Sequence, residues 1–224
     1  DGDYLFMLKS LKEVSEQFNL SVLAFCLMTN HIHILLRQDE KNLPEAMRSL
    51  FWRYAFYFNN KYSRRGHLFA GAYRQAACFD DYYLLVSSLY IHLNPVRAGI
   101  GGSYDKYRWS TWRLYCEENG FQTFVFWKFI LRMLAKDISE ARCQYRKLLE
   151  ESLLYRVQEM REVRSAIGDF VSWVRDRATI KLTAQGETSY EDSLWPKSYA
   201  GDTAVSEAIA FLKKKKRLTR PQDF

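Results

Sequence analysis

Ala24-Phe25-Cys26-Leu27-Met28-Thr29-Asn30-His31-Ile32-His33-Ile34-Leu35-Leu36 decides the fold. Two apolar runs flank a Thr-Asn turn, the pattern of a hairpin between two largely buried strands. Successive strand side chains point to opposite faces, so His31, His33 and Leu35 share one face and Ile32, Ile34 and Leu36 the other. Imidazoles two residues apart on a stiff strand sit about 7 Å apart at their backbones and can converge on one divalent cation. His-x-His on its own is a weak pattern and equally fits two solvated histidines at a strand edge.

The helices follow from periodicity. Asp3 to Phe18 reads as an amphipathic helix with Leu5, Leu8, Leu11, Val14 (or Ser15) and Phe18 on its apolar stripe and Asn19 as its stop. Ser21 to Met28 and His31 to Arg37 are the two strands. Pro44 suits the first turn of a helix running to about Lys61. That helix mixes Leu50, Phe51, Tyr54, Tyr57 and Phe58 with Arg48, Arg53 and Lys61. Such a mixture can stack bases and hold phosphates, although a core-facing aromatic stripe with a solvated basic face also accounts for it. Arg64 and Arg65 lie in the turn that follows, and Gly66 to Phe79 reads as a strand region carrying Arg74. Asp80 caps a helix whose stripe is Tyr82, Leu85, Val86, Leu89 and Leu93. Tyr90 lies at the margin of that stripe, with Asn94 one turn later on the same side. Pro95 is expected to end this helix, placing Asn94 at its exit. His92, about 200° round the helix from Tyr90, is a poor partner for it.

The totals bound the class. The chain has 224 residues, 48% of them hydrophobic and 16% aromatic, enough for a substantial core. The net charge of +7 and a pI near 9.2 favour a polyanionic partner. Cys26, Cys78, Cys116 and Cys143 are widely spaced with no C-x-x-C, the pattern of reduced cysteines in a cytosolic protein. No apolar run reaches membrane-spanning length and no signal peptide opens the chain. Residue 1 is Asp, so residues upstream are expected.

Four ordered segments carry a resemblance. Leu27-Met28-Thr29-Asn30-His31-Ile32-His33-Ile34-Leu35-Leu36 resembles the histidine–hydrophobic–histidine strand of the HUH single-tyrosine transposases, the IS200-like transposase domain. Gly66-His67-Leu68-Phe69-Ala70-Gly71-Ala72-Tyr73-Arg74 looks like that family's GHLFxGRYK-type segment. Tyr90-Ile91-His92-Leu93-Asn94-Pro95-Val96-Arg97-Ala98-Gly99 looks like its YIxLNPVRAG segment. Tyr107-Arg108-Trp109-Ser110-Thr111-Trp112 resembles its YxWSSY element. The nearest branch is the REP-associated tyrosine transposase-like proteins, and the likeness spans residues 3–115, about half the chain.

The resemblance implies an α+β fold, a ferredoxin-like antiparallel sheet with helices on one face. It implies a catalytic domain over residues 1–115, followed by a helical region over 116–224. It makes His31 and His33 metal ligands, Asn94 a third ligand, and Tyr90 the nucleophile that becomes linked to a 5′ phosphate of single-stranded or hairpin DNA. The expected cofactor is Mg²⁺ or Mn²⁺, and the expected location is the cytoplasm, at the nucleoid. Arg48, Arg53, Arg64, Arg65 and Arg74 are the expected phosphate contacts. Two other readings stay open at this point: a decayed DNA-binding protein, and a phosphodiesterase that uses the histidines with water. Relatives begin with a strand beside the histidine strand, whereas this chain starts at its first helix. A truncated frame, or a sheet restored by a homodimeric partner, is expected from that.

Beyond Cys116, Phe121 to Leu134 and Ile138 to Ile167 are expected helices, with another from Phe170 to Ala178. Ala184 to Ser198 is expected to be loop. A short helix from Thr203 to Leu212 is expected to lead into the basic run Lys213-Lys214-Lys215-Lys216-Arg217.

Overall fold

α1 (Gly2–Gln17) buries Met7, Leu11 and Val14, three positions a turn or so apart, and so presents one face to the core. Leu5, expected on that stripe, is 56% exposed and lies outside the contact. Phe18 caps the helix, and Asn19 takes a left-handed backbone (φ 51°), a conformation that Asn tolerates at low cost. These statements rest on a computed structural model that describes residues 1–38, 40–78, 80–100, 102–118, 123–154, 163–180 and 206–213.

The hairpin forms as expected. β1 (Leu20–Leu27) and β2 (His31–Gln38) pair antiparallel, with Cys26 opposite His33 and Leu27 opposite Ile32. A register shift between Val22 and Ala24 marks a bulge in β1. Ile32 through Leu36 are all buried, so β2 is covered on both faces. α2 (Leu43–Lys61) has Pro44 in its first turn and buries Leu43, Ala46, Met47 and Leu50.

β3 (Arg74–Cys78) is shorter than the Gly66–Phe79 strand region read from sequence; residues 66–73 are bends and irregular backbone with one isolated bridge position. Gly66 has φ 86° within this stretch, which an extended strand does not accommodate. Phe79 lies outside the described residues.

α3 (Asp81–Arg97) opens on Asp80, whose carboxylate accepts a hydrogen bond from the Tyr83 N–H at 2.7 Å. It does not end at Pro95. Only one helical N–H is lost to the proline, and the helix continues to Arg97. It stops at Gly99 (φ 68°), where the Ile100 N–H reaches the Pro95 carbonyl and the Gly99 N–H reaches that of Val96, a paired glycine stop. Asn94 is therefore inside the helix.

After a single 3₁₀ turn (Tyr104–Lys106), the segment Trp109–Thr111 runs along the outer edge of β1. The Leu27 N–H donates to the Trp109 carbonyl and the Thr111 N–H to that of Phe25. Trp109 also stacks on Tyr4 of α1. The tail of the fourth motif is thus a strap that pins the hairpin from outside.

α4 (Trp112–Cys116), α5 (Trp127–Leu134), α6 (Ile138–Leu154) and α7 (Val163–Arg175) follow. α5 is shorter than the expected Phe121–Leu134 helix; Phe121 lies outside the described residues. The expected Ile138–Ile167 helix is two helices, with residues 155–162 outside the described set, and α7 takes in the start of the expected Phe170–Ala178 helix. α6 and α7 both pack on α3.

The last element differs from expectation. Sequence spacing predicts a helix from Thr203 to Leu212, but β4 (Ser206–Lys213) is a strand. It lies between β2 and β3, giving a four-stranded sheet of order β1-β2-β4-β3 with every pair antiparallel. His31 pairs with Lys213 and His33 with Phe211. The alternation Ala208, Ile209, Ala210, Phe211 suits either period when only a few residues long, and pairing with two strands decides it. The strand that the histidine strand was expected to lack is supplied here from far along the same chain. The loop expected at Ala184–Ser198 and the basic residues Lys214–Arg217 lie outside the described residues. No helix among the described residues is long and apolar enough to cross a membrane.

Candidate active site

β2 and α3 bring four predicted residues together. His31 sits at the start of β2, at the rim of the sheet, and His33 is buried two residues further in. Their Nε2 atoms are 2.9 Å apart. Across the gap, the ring of Tyr90 on α3 lies edge-on to that of His33, with centroids 5.6 Å apart and planes at 84°. Asn94, one turn beyond Tyr90 and buried, donates from Nδ2 to the Tyr90 carbonyl at 2.8 Å. Its side chain also hydrogen-bonds to His33 and to the Tyr90 side chain.

Two donor nitrogens bound to one cation at about 2.1 Å each, at right angles, would lie about 3 Å apart. The observed 2.9 Å matches that spacing. The His31 tautomer also suits a cation. The Asn30 Oδ1 lies 2.7 Å from His31 Nδ1 and, as an acceptor, fixes the proton there. His31 Nε2 is then a lone pair aimed inward, with an outer amide holding the ring. Asn94 Nδ2 is taken by the Tyr90 carbonyl, so Oδ1, which also faces His33, is the atom of this side chain that could reach a cation. Two imidazoles and an amide oxygen suit Mn²⁺ or Zn²⁺ more readily than Mg²⁺. Among the described residues there is no cluster of three or more His, Cys, Asp or Glu, so any cation site here depends on the amide.

The electrostatics follow from burial. Loss of water pushes His33 well below the usual histidine range; the charge of His31 adds to this and the Asn94 hydrogen bond opposes it. His33 is thus neutral at physiological pH, the form that binds metals. Burial also raises the Tyr90 phenol, against lowering by the Arg97 charge and the Asn94 hydrogen bond. Tyr90 is therefore a neutral phenol at physiological pH.

The predicted phosphate contacts are spread out. Arg48 and Arg65 are exposed, on α2 and in the turn after it. Arg53 is committed to α1, donating to Glu13 at 3.0 Å and Gln17 at 2.8 Å. Arg64 lies over the Phe58 ring, and Arg74 is exposed on β3. Beside Arg48 on the outer face of α2, Trp52 and Phe56 are 65% and 58% exposed and stack at 5.6 Å.

Three residues escaped the sequence reading. Asn30 reads from sequence only as a turn residue. Arg97 stands seven residues after Tyr90, two full turns along the same face, but a helix ended at Pro95 hides that alignment. His92 was set aside as a partner for Tyr90, rightly, yet it has a role of its own. Fully buried, it sits 2.8 Å from the Tyr145 hydroxyl of α6 and 2.9 Å from Thr111 Oγ1. Tyr145 donates onward to Ser88 Oγ, which donates to the Leu85 carbonyl. Thr111 Oγ1 likewise donates onward to the Phe25 carbonyl, so both ring nitrogens are engaged, and burial pushes the His92 pKa down to about 3.

Comparison with known proteins bears on the same region. Residues 3–94 match the family model described as Transposase IS200 like. No curated protein and no solved structure matches the chain.

Proposed function

We propose that this chain, whose residues 3–94 are an IS200-like transposase domain, cuts and rejoins single-stranded DNA with Tyr90 as nucleophile. The observation that carries the reading is the convergence of His31 Nε2 and His33 Nε2 at 2.9 Å beside the Tyr90 ring. Membership in a transposase family supports DNA as the substrate; the tyrosine chemistry and the cation are our reading of the geometry.

The Tyr90 oxygen attacks a backbone phosphorus. An O–P bond forms to the 5′ phosphate of the downstream fragment and the P–O3′ bond breaks. The phenolic proton passes to water, and the departing 3′ oxygen takes one up. A phosphotyrosine conserves the phosphodiester energy, so a second 3′ hydroxyl can reverse the step without ATP. A divalent cation held by His31, His33 and Asn94 would act as a Lewis acid on the phosphate oxygens. The rest falls to the protein. α3 fixes the ring against β2, Asn94 ties the helix backbone to the histidines, and burial excludes competing water. In this proposal residues 1–115 carry the chemistry, 116–224 support it, and Arg48, Arg65, Arg74 and the Trp52–Phe56 pair contact DNA backbone and bases.

The test is a single-stranded hairpin oligonucleotide labelled at its 3′ end, incubated with the protein and Mn²⁺ and run on a denaturing gel. A labelled band at protein mass, absent in Tyr90→Phe and reduced at least ~100-fold in His31→Ala, is expected. Cleavage that persists in Tyr90→Phe would assign the nucleophile to water instead.

A further inference from the structure

We infer that Arg97, seated between the rings of Tyr90 and Phe170, is a catalytic residue that holds the scissile phosphate over the tyrosine, and that α7 is thereby part of the active site. This rests on the reading of Tyr90 as nucleophile.

The Arg97 guanidinium carbon lies 5.3 Å from the Tyr90 ring centroid and 5.6 Å from that of Phe170. Phe170 is 1% exposed and belongs to α7, which packs along α3. A buried aromatic on a docked helix is a rigid wall, so Arg97 is confined to the space beside the tyrosine. Arg97 itself reaches solvent, so an incoming strand can meet it.

Two aromatic contacts position a guanidinium without neutralising it. Among the described residues no carboxylate forms an ion pair with Arg97. Its N–H donors are five in a planar fork, the geometry that grips two phosphate oxygens at once. A charged fork poised over the nucleophile, with no acidic partner among the described residues, is arranged for an anion that arrives from outside. The phosphate that Tyr90 attacks is that anion. The chemistry matches as well: charge builds on the non-bridging oxygens as the Tyr90 oxygen approaches, and fixed donors placed there lower the barrier.

The experiment measures single-turnover adduct formation with Mn²⁺ and a labelled single-stranded oligonucleotide, across a range of oligonucleotide concentrations. Arg97→Ala is expected to slow the maximal rate by ~10²–10³-fold with half-saturation shifted less than ~5-fold. Arg97→Lys should recover part of the rate by restoring charge. Phe170→Leu, which keeps an apolar side chain in α7, should slow the reaction ~10-fold by loosening the guanidinium, with Tm followed in parallel. An Arg97→Ala rate equal to wild type overturns the inference while leaving Tyr90 in place. Equal losses in Arg97→Ala and Arg97→Lys, tracking equal drops in Tm, also overturn it by making the role structural. A wild-type protein that forms no adduct overturns the reading of Tyr90, and this inference with it.

Discussion

At the scale of single residues, the site depends on atoms whose partners are set by neighbours. Asn30 decides which nitrogen of His31 carries the proton, and so whether its inner nitrogen can bind a cation. Asn30→Ala is expected to weaken Mn²⁺ binding by about 10-fold or more, within the range for outer-sphere partners of histidine ligands. Titration calorimetry with the metal alone reads this without reference to DNA. The histidine pair and the tyrosine were legible because each sits in a motif of fixed spacing. Asn30 was not, because a residue between two strands reads first as a turn, and its contact to His31 depends on a rotamer. Arg97 was hidden by a local rule, the tendency of proline to stop helices, which the glycine at position 99 overrides here.

Between elements, α1 and α2 are joined by a polar staple. The Asp3 carboxylate accepts from Lys61 Nζ at 2.8 Å, Tyr62 at 2.8 Å and Tyr57 at 3.2 Å, while Phe6 stacks on Tyr57. Partial burial alone would raise the Asp3 pKa, but the hydrogen bonds from Lys61 and Tyr62, the Lys61 charge and the Tyr57 bond outweigh it and hold Asp3 low. A carboxyl whose folded value lies below its unfolded value of about 3.9 binds its proton more readily when unfolded. Its stabilisation is therefore full above about pH 4 and is lost as pH falls through the folded value. Thermal melts from pH 6 to pH 2.5 are expected to fall less steeply in Asp3→Asn than in wild type, with the two curves converging at the acid end. Helix existence was legible for α1, α2 and α3 from apolar spacing and caps. Their packing was not, since Leu5 fits the stripe as well as Leu8 does and yet stays exposed.

For the molecule as a whole, sequence-distant segments complete what local signals begin. β4 fills the sheet between β2 and β3, and a short run of small and apolar residues gives no period strong enough to announce a strand. The strap Trp109–Thr111 and helix α6 meet at His92. Its ring joins Tyr145, Ser88 and Thr111, and Thr111 in turn bonds the Phe25 backbone. Tyr145→Phe removes one hydroxyl and leaves His92 Nδ1 and Ser88 Oγ each short of a partner in a dry interior. A loss of about 1–3 kcal/mol is expected, read from urea unfolding, with the slope unchanged if the core stays two-state. The site was legible from motifs that span half the chain; its support was not, because the partners of a buried histidine on α3 lie dozens of residues downstream with no pattern linking them.

That histidine also bears on how the chain can be dissected. The stretch matching the transposase family stops at residue 94, inside α3, three residues short of Arg97. A fragment trimmed to that match would lose Arg97 itself, and one trimmed to the end of the last motif would strip the phenol from His92 and the aromatic wall from Arg97. The stretch that matches the family and the stretch whose side chains pack around its candidate site are therefore different lengths of polypeptide, and the longer one reaches at least to Phe170.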